Sequence, residues 1–177
     1  MKILDIGCGK HKIKGSIGVD IDLESHADII HNLNKTPYPF SDGSVDKIFC
    51  FEVIEHLENY EVLLKEFQRI LKKKGELIIS TNNVNSLINR IFKTYEHRGL
   101  DPKSPGTHKH LFTIEEFRSL IEKNKFKIIK MEMLSFPCSY EHKILRKFLN
   151  PLRYSLNYFL PLSLRERMVV KAENIGR

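Results

Sequence analysis

Along the chain, short apolar runs bounded by Gly, Asn or Asp alternate with stretches in which apolar residues return every three or four positions. The first pattern reads as buried strands and the second as one face of an amphipathic helix. Lys2–Ile6 is a predicted strand running into a glycine turn, Ser16–Ile21 a second and Ala27–His31 a short third. Val45–Phe51 is a fourth, nearly continuous in apolar character, as a central parallel strand covered on both faces should be. From Asn59 the period changes: Tyr60, Leu63, Leu64, Phe67, Ile70 and Leu71 fall on one helical face. Lys72–Lys74 are expected in the last helical turn, where cations suit the helix dipole, with Gly75 as the stop.

Glu76–Thr81 is a fifth predicted strand. Thr113-Ile114-Glu115-Glu116 is a capping box that opens a helix through about Asn124, followed by a sixth strand, Phe126–Leu134. Residues 139–160 read as helical, broken at Pro151, and Arg167–Ala172 as a last strand. The strand–helix rhythm predicts an α/β fold, a doubly wound and mostly parallel sheet. With 177 residues and neither repeats nor a Ser/Gly linker, one domain over residues 1–177 is expected, with insertions near 82–112 and 138–164.

The sharpest chemical signal sits at the first strand's end. An apolar strand, an acid, then Gly7-Cys8-Gly9 is a nucleotide-type turn, because the two glycines let the backbone turn tightly and a ligand come close. A dinucleotide fingerprint needs a third glycine three residues on, where this chain has Lys12, so nicotinamide binding is disfavoured. Asp5 beside the turn suits a cationic ligand group better than a pyrophosphate. Asp20, closing the second strand, has the placement of an acid that accepts hydrogen bonds from both hydroxyls of a ribose.

Together these residues resemble the class I S-adenosylmethionine-dependent methyltransferases of the small, broadly distributed type. Leu4-Asp5-Ile6-Gly7-Cys8-Gly9 is similar to that family's first motif and Gly18-Val19-Asp20-Ile21 to its second. The segment from Tyr38 to Asp46 resembles the entry to strand four, and Phe51-Glu52-Val53-Ile54-Glu55-His56-Leu57 the signature after it. Leu71–Leu77 and His110-Leu111-Phe112-Thr113 fit the same scheme, so the resemblance spans roughly residues 2–134. It implies a seven-stranded Rossmann-like sheet of order 3-2-1-4-5-7-6 with the last strand antiparallel. It also implies S-adenosylmethionine as cofactor and S-adenosylhomocysteine as product.

By the resemblance, Asp5, Gly7, Cys8 and Gly9 line the methionine part of the cofactor and Asp20 holds the ribose. Asn32 and Leu33 fall where relatives place an acid and an apolar residue near the adenine; an asparagine oxygen still accepts from an exocyclic amine. Phe51 is expected to pack near the cofactor. Ten residues separate Gly9 from Asp20, fewer than a parallel crossover with a full helix needs, so Lys10–Gly15 are expected as a tight basic loop or one helical turn. A lid helix ahead of the first strand is not expected.

Methyl transfer needs alignment, exclusion of water and, for hydroxyl or amine acceptors, removal of a proton. The candidate bases are His56, at the exit of strand four, and His108 and His110, ahead of the capped helix; none is assigned. Cys8, Cys50 and Cys138 are far apart and odd in number, which points to a reducing compartment, and no CxxC pair suggests a zinc site; His108 and His110 would offer two metal ligands but no third is indicated, so no metal site is expected. The uncharged stretch Tyr154–Leu164 is 11 residues against the about 20 of a bilayer span, and the strand-like start leaves no signal peptide, so a cytoplasmic location is expected.

The net charge is +7, and residues 142–177 hold eight Lys/Arg against two Glu, or +6 of it. That distribution fits a solvated basic tail, a phosphorylated or lipid-linked acceptor, peripheral membrane contact, or RNA. A small-molecule or glycan/lipid-precursor acceptor leads. RNA stays open although aromatic platforms among basic strands are not evident, as does a scaffold domain that binds the cofactor without turnover.

Overall fold

The computed structural model describes residues 1–86, 108–134, 161–165 and 167–176. The strands are β1 (Ile3–Ile6), β2 (Ile17–Asp20), β3 (Ile29–Ile30), β4 (Val45–Phe51), β5 (Leu71–Asn82), β6 (Phe126–Leu134) and β7 (Arg167–Asn174). Helix α1 (Tyr60–Ile70) lies between β4 and β5, and α2 (Ile114–Lys123) precedes β6. A single turn of 3-10 helix, Ile54–His56, follows β4. The strands form one seven-stranded sheet, β3-β2-β1-β4-β5-β7-β6. The first five are parallel neighbours, and β7 runs antiparallel to both β5 and β6. This is the predicted fold. The expected helix over 139–160 and residues 87–107 of the insertion expected near 82–112 lie outside the described residues.

The apolar periodicities account for the core. Leu4, Ile6, Ile48, Cys50, Leu77 and Ile79 of the central strands are completely buried. Against them pack Leu63, Leu64, Phe67 and Ile70 of α1 and Phe117 and Ile121 of α2, also completely buried. Burying each such side chain contributes roughly 1.5–3 kcal/mol before the entropy of ordering it is subtracted. Asn59 caps α1 by accepting from the Val62 N–H, and the Thr113–Glu116 capping box is present in both directions. β7 alternates half-buried and buried residues along its length, the period of two that a strand inserted between two neighbours requires.

One boundary departs from the sequence reading. α1 ends at Ile70, and Lys72–Lys74 belong to β5 rather than to a last helical turn. The β4–β5 register explains it: Leu71 pairs with Val45 and Glu76 with Lys47, so four residues of β5 bulge opposite one of β4. The three lysines are exposed on that bulge, and Lys74, not Gly75, takes the positive φ of 63°. Gly75 is needed there for space, since a Cβ would stand 2.9 Å from the Lys72 carbonyl oxygen.

The join is stapled from the neighbouring strand β7. Asn174 is completely buried, and its Nδ2 donates to the carbonyls of Gln68 (3.1 Å), Leu71 (3.1 Å) and Lys72 (3.3 Å). These carbonyls lie at the junction of α1 and β5, where the helical ladder ends. Asn174→Ala is expected to lower stability by about 2 kcal/mol in urea unfolding, because buried carbonyls lose their donor. Asn174→Asp, which sets a carboxylate against them, should be worse.

A second polar node joins α1 to the segment ahead of β4. Glu66 is buried; its carboxylate accepts from the Tyr38 N–H (2.6 Å) and from Arg69 Nε (2.9 Å) and Nη2 (2.8 Å). The Arg69 hydrogen bonds hold the Glu66 carboxyl below the usual carboxylate range. Its folded-state pKa is therefore depressed, so its stabilisation is present above the ordinary glutamate value and is lost as pH falls through the folded one. Thermal melts of the wild type and Glu66→Gln should differ most near neutrality and converge as the pH drops below about 4.

Candidate active site

The parallel strands β1, β2, β3 and β4 all end at the edge where ligands bind in open α/β sheets. Two glycines with positive φ, Gly7 (70°) and Gly9 (50°), turn the chain at the end of β1. A Cβ on Gly7 would overlap Cγ2 of Val53, whereas a Cβ on Gly9 would meet no heavy atom within 4 Å. Gly7 thus lets two segments of the protein meet, and Gly9 leaves open space in front of the turn.

Asp20 joins this turn to β2. Its Oδ2 accepts from the Gly9 N–H at 2.8 Å and its Oδ1 from the Asp22 N–H at 3.0 Å. Each oxygen keeps a second acceptor position, and the residue is half-buried at the strand end.

Other residues named from the sequence sit differently. Asp5 is buried, and its Oδ2 accepts from the Ile13 N–H at 2.8 Å. Burial raises its pKa above the usual carboxylate value, and that backbone bond pulls the other way. Asp5 clamps the Lys10–Gly15 loop, which consists of turns closed by His11 N–H to Cys8 O (3.1 Å) and Ser16 N–H to Ile13 O (3.2 Å). Cys8 is buried with its sulfur over Gly18: a Cβ on Gly18 would stand 2.8 Å from Cys8 Sγ and 2.7 Å from Lys12 Cδ. The Lys12 stem therefore fills the space beside β2, and its Nζ pairs with Asp28 at 2.8 Å. With no crossover helix to press against the strand, a third glycine has no role here.

Asn32 uses its Oδ1 to accept from the Asn34 N–H at 3.0 Å, a local turn, and Leu33 is buried. Phe51, at the end of β4, is 39% exposed, with its ring centroid 5.8 Å from that of Phe49. Ile21, directly after Asp20, is 60% exposed, an apolar face beside the ribose-type acid that the sequence reading did not single out.

Beyond Phe51 the chain makes a polar knot. Glu52 has a positive φ of 54°, a conformation that costs a non-glycine residue roughly 1–2 kcal/mol. Its carboxylate is fixed by Ser80 Oγ (2.7 Å), Asn82 Nδ2 (2.8 Å) and Arg167 Nε (3.1 Å). Glu55 is almost completely buried beside it and accepts from Thr81 Oγ1 at 3.1 Å. Burial, then the charge of Glu52, pushes the Glu55 carboxyl up to about 8.

The Glu55 carbonyl accepts from the N–H groups of Lys109 (2.7 Å) and His110 (3.1 Å), so the segment ahead of α2 is pinned to the turn after β4. The three candidate histidines are separated by this. His56 and His108 meet edge to face with ring centroids 4.9 Å apart. His110 turns away onto Tyr60, 4.7 Å between centroids, next to Phe112.

The site suits S-adenosylmethionine on three counts: open space before Gly9, an oriented acid at the end of β2, and exposed apolar side chains at Ile21 and Phe51. Among the described residues no helix is long and apolar enough to cross a membrane.

Comparison with known proteins bears on the family and the fold. A family model described as a methyltransferase domain matches residues 1–131. An uncharacterized protein of Methanocaldococcus jannaschii is 35% identical, covering 57% of this chain and 51% of that protein. A ubiquinone biosynthesis O-methyltransferase of Rickettsia bellii is 28% identical, covering 77% of this chain and 65% of that one. The chain spans about half the length of curated relatives such as the M. jannaschii protein and the rat ubiquinone biosynthesis O-methyltransferase. Among solved structures, an S-adenosylmethionine-dependent methyltransferase of Methanosarcina mazei superposes with a TM-score of 0.69 at 20% identity, over 99% of this chain and 93% of that one. One from Archaeoglobus fulgidus gives 0.65 at 20% identity, over 98% and 86%. Likeness at that identity concerns the fold; the match over residues 1–131 goes further. The chain belongs to the class I S-adenosylmethionine-dependent methyltransferase family, whose cofactor is S-adenosylmethionine.

Proposed function

We propose that this chain transfers the methyl group of S-adenosylmethionine to a small-molecule or glycan/lipid-precursor acceptor at the carboxyl edge of β1, β2 and β4. One observation carries the cofactor half: the 2.8 Å bond from the Gly9 N–H to Asp20, which builds the glycine turn and the strand-end acid into one site. Gly7 and Gly9 would take the methionine part, Asp20 the ribose, and Ile21, Asn32 and Phe51 the surroundings of the base. Bound there, the cofactor supplies an electrophilic methyl group on a sulfonium.

The chain's remaining tasks are to align the acceptor and take its proton. His56 and His108, side by side after β4, are the candidates for proton removal, while the packing of His110 on Tyr60 fits it for structure. The relatives named for ubiquinone biosynthesis favour a small acceptor over RNA. A reducing, cytoplasmic setting accords with free, buried Cys8 and Cys50.

The test uses the cofactor labelled in its methyl group. Incubated with extract of the source cell and fractionated, label should enter the small-molecule or lipid fraction, and Asp20→Ala should abolish it. Label in RNA would replace the acceptor class, and label in no fraction would favour a domain that binds without turnover.

A further inference from the structure

The geometry points to a divalent transition-metal site, of the kind zinc or cobalt occupies, formed by Glu55, His56 and His108. One ligand atom from each residue lies within 4.8 Å of the other two. Three ligands at about 2.1 Å from a common ion stand roughly 3.4 Å apart in a tetrahedron, so rotations of two imidazoles close the difference. Two imidazoles and one carboxylate form a donor set suited to zinc and its neighbours rather than to magnesium or calcium, which prefer all-oxygen shells.

The three residues come from two segments 52 positions apart, and main-chain bonds hold those segments together. The Glu55 carbonyl accepts from the N–H groups of both Lys109 and His110, and Lys109 Nζ pairs with Glu58 at 3.0 Å. His108 is therefore brought beside His56 by the backbone, whatever the side chains do. The carboxylate has its outer support as well: Thr81 Oγ1 donates to Glu55 Oε2 at 3.1 Å, the kind of bond that orients a metal-ligating carboxylate. Three protein ligands leave a tetrahedral ion one position open for an exogenous group, as catalytic sites do and structural ones do not.

The site lies just past the end of β4, at the edge assigned to the acceptor. An ion there would bind an acceptor oxygen and favour its deprotonated form, and in that state it would replace His56 and His108, then its ligands, as the means of proton removal. That role rests on the methyl-transfer reading; the existence of the site does not.

Cobalt(II) titrated into the metal-free protein reads the site directly through its visible absorption, with zinc competition as a check. The wild type should take up one cobalt per chain, with bands of a four- or five-coordinate nitrogen–oxygen site that zinc abolishes. His56→Ala and His108→Ala should each weaken uptake at least tenfold, and His110→Ala should bind as the wild type does. Thermal melts give a second reading: zinc should raise the midpoint of the wild type but not of His56→Ala or His108→Ala. Because Glu55 is buried and its replacement risks the fold, Glu55→Gln is judged only if its metal-free melt matches the wild type. S-adenosylhomocysteine binding measured on the same variants separates the two ideas. Loss of metal with cofactor binding retained supports the site whatever the acceptor proves to be. No uptake by the wild type, or equal uptake by His56→Ala and His108→Ala, overturns it.

Discussion

Gly7→Val should abolish S-adenosylmethionine binding and lower the melting temperature by roughly 6–12 °C. The stability loss has two sources. Gly7 has a φ of 70°, where a β-branched residue is a genuine outlier, at a cost of about 1–2 kcal/mol. The new side chain also meets Val53, and overpacking of this kind typically costs about 1–3 kcal/mol. A total of about 3 kcal/mol in a chain of this size corresponds to that shift in midpoint. Binding is lost because the Gly7 N–H donates to the Val19 carbonyl at 2.8 Å, so displacing Gly7 displaces the turn from β2.

The sources can be separated by thermal melts. In a Gly7→Ala background, Val53→Ala should return the steric part and leave the backbone part, a coupling that a double-mutant cycle measures. Gly9→Ala offers the contrast. Nothing lies within 4 Å of the added Cβ, so stability should fall by only about 1 kcal/mol, yet binding should fail because the proposed site gives that space to the ligand.

The second large effect belongs to Asp20. Asp20→Ala should weaken cofactor binding by about 100-fold or more while leaving the fold in place. The carboxylate fixes the Gly9 N–H at 2.8 Å, and a hydrogen bond to a charged group is worth about 1.5–3 kcal/mol. In the proposed site it is also the group offered to the ribose, so one substitution would loosen the turn and remove a ligand contact. About 2.7 kcal/mol between them gives the 100-fold. Asp20 is half-buried at a strand end, so no core cavity follows and the melting temperature should move by only a few degrees. Asp20→Asn keeps an acceptor oxygen for Gly9 and should fall between the two. Competition binding against a fluorescent adenosine ligand measures all three.

The glycine pair after an apolar strand and the acid closing the next are local patterns, so the turn at Gly7 and Gly9 and its bond to Asp20 have a visible counterpart in the sequence. The sheet was legible for a related reason, since buried parallel strands and capped amphipathic helices carry their signal within ten residues. What escaped depends on contacts between distant segments. Lys72–Gly75 look like a helix end, cations followed by glycine, and only the pairing of Leu71 with Val45 and Glu76 with Lys47 shows them to be a bulge.

Asp5 and Cys8, expected at the ligand by the family resemblance, also carry structural contacts: Asp5 accepts from the Ile13 N–H and the Cys8 sulfur lies over Gly18, contacts that no periodicity reports. The same holds for His108. Three candidate histidines look alike in sequence; two backbone bonds from Glu55 carry His108 to His56, while Tyr60 takes His110. The missing third glycine, a mark against dinucleotides in the sequence, gains a structural reason in the Lys12 stem lying over Gly18.

The central claim is that the Gly7-Cys8-Gly9 turn and Asp20 form an S-adenosylmethionine site and not a dinucleotide site. Calorimetric titration of the wild-type chain with S-adenosylhomocysteine, run beside an identical titration with NAD, tests it most directly. One saturable site per chain for S-adenosylhomocysteine, and no heat with NAD, is the result predicted. No heat with S-adenosylhomocysteine, or tighter binding of NAD, would contradict it.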